Sequence, residues 1–256
     1  MKPAELELVR ELLDEKAVEY NRRDFIQDDP IQIPHRFSRK EDIEISGLLA
    51  ATIAWGNRKS IINSASSLME RMDNAPFQFV AEHTEADLNV FKGFVHRTFN
   101  ADDARWFVQG LQYMYSEKGG LENVFNHPSA LEGIEAFREA MFTMPHAPRS
   151  EKHIASPMKG SSAKRLNMYL RWMVRQDTDG VDFGLWDFPP AQLMVPLDVH
   201  TGRVARELGI LKRKQNDWKA VEELMEILRK FDPDDPVKYD LALFGMGIDE
   251  KKVDRS

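Results

Sequence analysis

Apolar residues recur at helical spacing almost from end to end of this chain, which excludes most architectures before any motif is weighed. Leu6, Val9, Leu12 and Leu13 stripe a first helix that Pro3 can start. Ser38-Arg39-Lys40-Glu41 has the form of a capping box ahead of 43–55, the longest apolar run. Residues 58–72 form a further helix before Pro76. Asn100 should cap a helix over 101–117, which Gly119 and Gly120 stop. Residues 129–144 are helical until Pro145 and Pro148 break the chain. Helices over 217–231 and 236–246 close it, joined by Asp232-Pro233-Asp234-Asp235-Pro236. No segment alternates convincingly as a strand. The expected fold class is all-α, as a single unit over 1–256 or as two helical lobes with the site between them.

The chain has no cysteine, which removes disulfides, thiolate zinc sites and cysteine-held iron–sulfur clusters. The histidines lack H-x-x-x-H spacing and the Asp/Glu pairs read as solvated helix faces, so neither a metal nor a cofactor is expected. The charged start MKPAELELVRELLDEK and the lack of any run of roughly 18 apolar residues point to a cytoplasmic protein without a membrane partner. A net charge of −7 argues against a general nucleic-acid footprint, but the charge is unevenly placed. Six Lys/Arg and no acid lie between Lys152 and Arg175, while acids gather over 5–19 and 222–235.

Within that basic stretch, Gly160-Ser161-Ser162-Ala163 is a small-residue turn opening into a helix at Lys164. Free backbone N–H groups at a helix start form an anion site. A lysine held there among cations can serve as an amine nucleophile. Downstream, Pro196-Leu197-Asp198-Val199-His200 puts a carboxylate at the mouth of another helix. An enzyme that cuts an N-glycosidic bond in DNA must flip the nucleotide out of the stack. It then needs a carboxylate to stabilise charge at the sugar and, optionally, an amine to attack it. Asp198 and Lys164 supply that pair. The alternatives are a solvated or phosphate-binding lysine and an ordinary N-capping aspartate.

At these residues the chain resembles the helix–hairpin–helix DNA glycosylase superfamily, whose endonuclease III-like members carry G-x-G-x-K-T-A-N followed by V-D-T-H. Gly160 to Asn167 matches the first motif with Lys164 at the Schiff-base position; Pro196 to His200 matches the second with Asp198 at the carboxylate position. The resemblance implies a helix–hairpin–helix element at about 152–176, with Lys159, Gly160, Ser161, Ser162 and Arg165 on nucleic acid. It also implies that Trp55 or Asn57, with Arg58 and Lys59, lies where a residue wedges into the gap left by the flipped base. His200 joins the nucleic-acid contacts. More closely, over roughly 28–247, the chain resembles an uncharacterised bacterial family of unknown function, itself similar to these glycosylases, through AWGNRK, AKRLNMYLRWMVR, PLDVHTGRVAR and DPVKYDLALFGMG.

There are departures. Ser162 stands in place of the second hairpin glycine, and 34 residues separate Lys164 from Asp198, the excess being the loop 177–193. Trp186 and Phe188 in that loop either stack on an extruded base or anchor the loop to the core. Arg171 and Arg175 share a helix face and meet either phosphates or solvent. The methionines at 141, 144, 158, 168, 173 and 194 are expected to pack. The expected function is a DNA repair glycosylase with AP-lyase chemistry on damaged or abasic DNA. The alternatives are a non-catalytic nucleic-acid binder on the same scaffold, or a fold retasked to a small nucleoside or a protein partner.

Overall fold

The computed structural model describes residues 2–177 and 179–253 and is mostly helical. In chain order the α-helices are α1 (Pro3–Tyr20), α2 (Asp24–Gln27), α3 (Lys40–Thr52), α4 (Arg58–Arg71), α5 (Pro76–Glu82), α6 (Ala101–Glu117), α7 (Leu121–Phe125), α8 (Ala130–Phe142), α9 (Lys164–Val174), α10 (Val199–Glu207), α11 (Trp218–Phe231) and α12 (Tyr239–Val253). The chain divides into two compact units, one of Ile26–Ser156 and the other of Met1–Phe25 with Pro157–Ser256. No helix among the described residues is long and apolar enough to cross a membrane.

In the unit of Ile26–Ser156, α3 is buried from Ile43 to Thr52, and its buried Glu44 accepts from the Tyr115 hydroxyl. Its start differs from the expected capping box: Arg39 is the N-cap and makes no side-chain cap bond, because the helix begins one residue later than Ser38 requires. Asn100 does cap α6, accepting from Asp102 N and Asp103 N, and Asp103 completes the box by accepting from Asn100 N. Beyond α6, Gly119 and Gly120 adopt φ of +76° and +97°, conformations open to glycine at little cost. A two-residue antiparallel pair, Val95–His96 with Phe99–Asn100, and the isolated β-bridges Ser161–Asp217 and Gln176–Phe183 depart from the all-helical expectation.

Asp103 is fully buried. It accepts from Ser150 Oγ and from Arg149 Nη1 at 3.1 Å, and lies 3.3 Å from His153 Nε2. Burial alone would raise its pKa; the bonds from His153, Ser150 and the Asn100 N–H instead hold the carboxyl well below the usual carboxylate range.

In the other unit, α12 packs against both α1 and α10. α9 buries Leu166, Tyr169, Leu170, Trp172 and Met173, so the basic stretch is strongly amphipathic rather than a solvated cationic rod. Its two later arginines meet neither phosphate nor solvent. Arg171 pairs with Asp182 at 3.2 Å and with Asp240, while Arg175 pairs with Asp182 at 3.2 Å, Asp235 at 2.8 Å and Asp177 at 3.5 Å. Two buried guanidiniums thereby rivet the start of the 177–193 loop to α9 and α12. Asp177 tightens that start by accepting from the N–H groups of Asp179, Val181 and Asp182. Trp186 is buried and meets Tyr169 edge-on at 5.5 Å, which resolves its two expected roles in favour of anchoring the loop. Of the methionines expected to pack, Met141, Met173 and Met194 are buried, whereas Met158 is 75% exposed on the hairpin.

Candidate active site

The segment before α9 differs from the expected helix–hairpin–helix. Pro148–His153 winds as a 3-10 helix, and 154–163 contains no helix. Pro157 biases Ser156 toward extended backbone, and a tight turn closed by Gly160 N on Pro157 O follows. Gly160 sits at that turn with φ +87°. Ala163, the N-cap of α9, is left-handed with φ +46° and has no oxygen with which to cap. The turn is nonetheless well tied: Ala163 N donates to Ser161 Oγ at 3.2 Å, and Asn167 Nδ2 donates to the Ser162 carbonyl at 3.0 Å. Asn167 is fully buried, so this bond holds the hairpin onto α9 from inside the helix.

α9 thus begins without a side-chain cap, with Lys164 and Arg165 in a first turn that holds no acid. Helix dipoles favour negative charge at that end. The negative charge comes from elsewhere in the chain: Lys164 Nζ lies 3.4 Å from Asp198 Oδ2. The lysine side chain is 37% exposed and the carboxylate 9% exposed, so the amine is reachable while the acid is largely desolvated.

Asp198 is placed by sequence-local chemistry. The buried residues Val195 and Leu197 deliver it to the start of α10, where its Oδ1 accepts from Thr201 N at 2.8 Å. The capping role and the contact with Lys164 use different oxygens, so one carboxylate serves both. Its carbonyl accepts from Gly202 N at 2.9 Å and from Asn216 Nδ2 at 2.8 Å.

The other expected site residues divide. Lys159, Gly160 and Ser161 are exposed on the hairpin, and Ser162 is half-buried. Arg165 is half-buried rather than displayed, and burial pulls its pKa down to about 10. His200 Nδ1 lies 2.9 Å from the Gly247 carbonyl and its ring meets Phe244, so it ties α10 to α12. Trp55, Asn57, Arg58 and Lys59 belong to the unit of Ile26–Ser156, where two of them have packing and capping tasks. The Trp55 ring stacks on His153 at 5.9 Å and meets His96 edge-on at 5.3 Å. Asn57 caps α4 through Ser60 N at 3.2 Å. Arg58 is half-buried and Lys59 exposed. Among the described residues, no group of three or more His, Asp or Glu is placed to hold a metal ion.

Asn167, Thr201, Gly202 and Asn216 contribute to the site's geometry without having stood out as candidates. Asn167 lay inside the first matched motif, whereas Asn216 carries no motif signal at all.

The model of a protein family of unknown function, DUF2400, matches residues 29–249, and the chain belongs to that family. No curated protein and no solved structure matches it.

Proposed function

We propose that this DUF2400 member is a DNA glycosylase with AP-lyase chemistry, acting on a flipped damaged base or an abasic site. The observation that carries the reading is the contact of Lys164 Nζ with Asp198 Oδ2 at 3.4 Å, joining residues 34 apart that the motif resemblance pairs. A half-exposed amine beside a mostly buried carboxylate is an arrangement suited to covalent attack on a sugar carbon. In this reading Asp198 accepts a proton from the lysine. The amine lone pair then forms a C–N bond to the sugar as the glycosidic bond breaks, and the base leaves with the bonding electrons and takes up the proton held by Asp198. Opening of the sugar ring yields an imine on Lys164. The exposed hairpin at 159–161 and the uncapped start of α9 hold a backbone phosphate. DNA is the partner.

The test is borohydride trapping on duplex DNA containing an abasic site. The wild-type protein should give a covalent band that Lys164→Ala abolishes and Asp198→Asn diminishes. Folded protein that gives no adduct across a panel of abasic and damaged duplexes, or an adduct undiminished in Lys164→Ala, defeats the proposal.

A further inference from the structure

The hydrogen bonds around the Lys164–Asp198 pair form a closed circuit, and one residue outside every motif joins its two halves. On one side, Asn216 Nδ2 donates to the Asp198 carbonyl at 2.8 Å. On the other, the next two residues grip the hairpin: Asp217 forms a β-bridge with Ser161, and Trp218 N donates to the Gly160 carbonyl at 3.0 Å. From the hairpin the circuit returns through Ser162 O and Asn167 to α9, and from Lys164 back to Asp198. The Asn216 amide is itself oriented. Arg206 Nη2 donates to its Oδ1 at 2.6 Å, and Arg206 Nε donates to the Arg213 carbonyl at 2.7 Å. Arg213 in turn pairs with Asp217, the cap of α11.

This orientation depends on Gly202. A Cβ there would stand 2.7 Å from Asn216 Oδ1 and 2.8 Å from Arg206 Nη1, so the first turn of α10 is bare where the amide crosses it. Gly202 has ordinary helical backbone, so its lack of a side chain matters here for space rather than for φ. Glycine inside a helix costs about 0.5–1 kcal/mol relative to alanine. In this chain that cost accompanies room for Asn216.

We propose that Asn216 is the positioning residue of the site: it sets the Asp198 backbone so that the carboxylate meets Lys164, and holds that pair in register with the phosphate-facing hairpin. It touches no substrate atom and acts through Asp198. The catalytic meaning of this assignment rests on the glycosylase reading above; the geometry does not.

The experiment reads Lys164 directly and needs no DNA, so its outcome is separate from the fate of that reading. Wild type, Asn216→Asp, Gly202→Ala and Asp198→Asn are treated with a small amine-acylating reagent across pH. Modification of Lys164 is quantified by peptide mass spectrometry against exposed Lys159. Asn216→Asp keeps the acceptor for Arg206 and removes the donor to Asp198. Gly202→Ala displaces the same amide while improving helix propensity, so it tests the assignment without threatening the fold. Both variants should raise relative labelling of Lys164 by about two- to fivefold, toward the Asp198→Asn level, which is the scale of a part-exposed ion pair. A merely structural role would lower the unfolding temperature and leave the Lys164 profile unchanged. Wild-type labelling in Asn216→Asp and Gly202→Ala, or in Asp198→Asn itself, overturns the proposal.

Discussion

Replacing Arg171 by methionine removes the centre of the buried charge network while keeping an unbranched apolar stem on α9. Asp182 retains Arg175 at 3.2 Å, whereas Asp240 loses the guanidinium it contacts. The wild-type arginine side chain is only 4% exposed and Asp240 only 7%, so water does not restore what is lost. Removing one partner of a buried pair costs about 3–5 kcal/mol. With a urea slope of about 2 kcal/mol per molar, the midpoint falls by about 2 M.

The cost should also depend on pH. Burial pushes the Asp240 carboxyl from 3.8 up to about 6; Arg171 opposes the rise and the charge of Asp198 adds to it. A carboxyl whose folded pKa is raised binds its proton more tightly in the folded state. Its contribution is therefore complete below pH about 4 and is lost as pH rises through about 6. The difference of 6 − 3.8, at about 1.36 kcal/mol per unit, makes that contribution about 3 kcal/mol. Without Arg171 the carboxyl rises further, so acidification from pH 8 to pH 5 should recover part of the variant's deficit. Arg171→Met with Asp240→Asn should regain at least about 1 kcal/mol over the single variant at pH 8. The assay is urea unfolding followed by hydrogen exchange of peptides over 164–176, which reports on α9 itself. A deficit under about 1 kcal/mol at pH 8, or one unchanged at pH 5, refutes the reasoning.

Two further expectations follow from backbone geometry. Ala163→Gly relieves a left-handed alanine worth about 1–2 kcal/mol, against about 0.5–1 kcal/mol of extra chain entropy, so thermal unfolding should show a net gain of about 0–1.5 kcal/mol. A loss there would mean the turn is not strained. Gly133→Ala on α8 drives a methyl into the Phe125 carbonyl oxygen, a backbone atom that cannot rotate away. The substitution should destabilise by about 1–3 kcal/mol despite alanine's better helix propensity, and a rise in melting temperature would contradict that packing.

Much of the helix inventory was legible because helix ends are set by residues within one turn of them. Pro3 starts α1 through its fixed φ, and Asn100, Ser129 and Asp217 cap α6, α8 and α11 through bonds three residues long or less. Ser38 misled for the same local reason: a capping box one residue out of phase reads identically until the helix start is seen. The pairing of Lys164 with Asp198 was anticipated through motif resemblance, not through periodicity or charge. Neither signal could tell where Arg171, Arg175, Trp186 or Met158 would point.

By itself, then, the amino-acid sequence determined most of the longer helical segments but not the short α2, α5 and α7, where most of those longer helices begin, and that a lysine and an aspartate would stand at two helix mouths. These properties depend on backbone groups satisfied by near neighbours. Tertiary structure alone decided that the two side chains meet, that the basic stretch spends its later arginines on four aspartates, two of them buried, and that Asn216 bridges hairpin and carboxylate. Those contacts join residues up to 69 positions apart, and the free energy of burying a charge or orienting an amide exists only once the packed surroundings have excluded water.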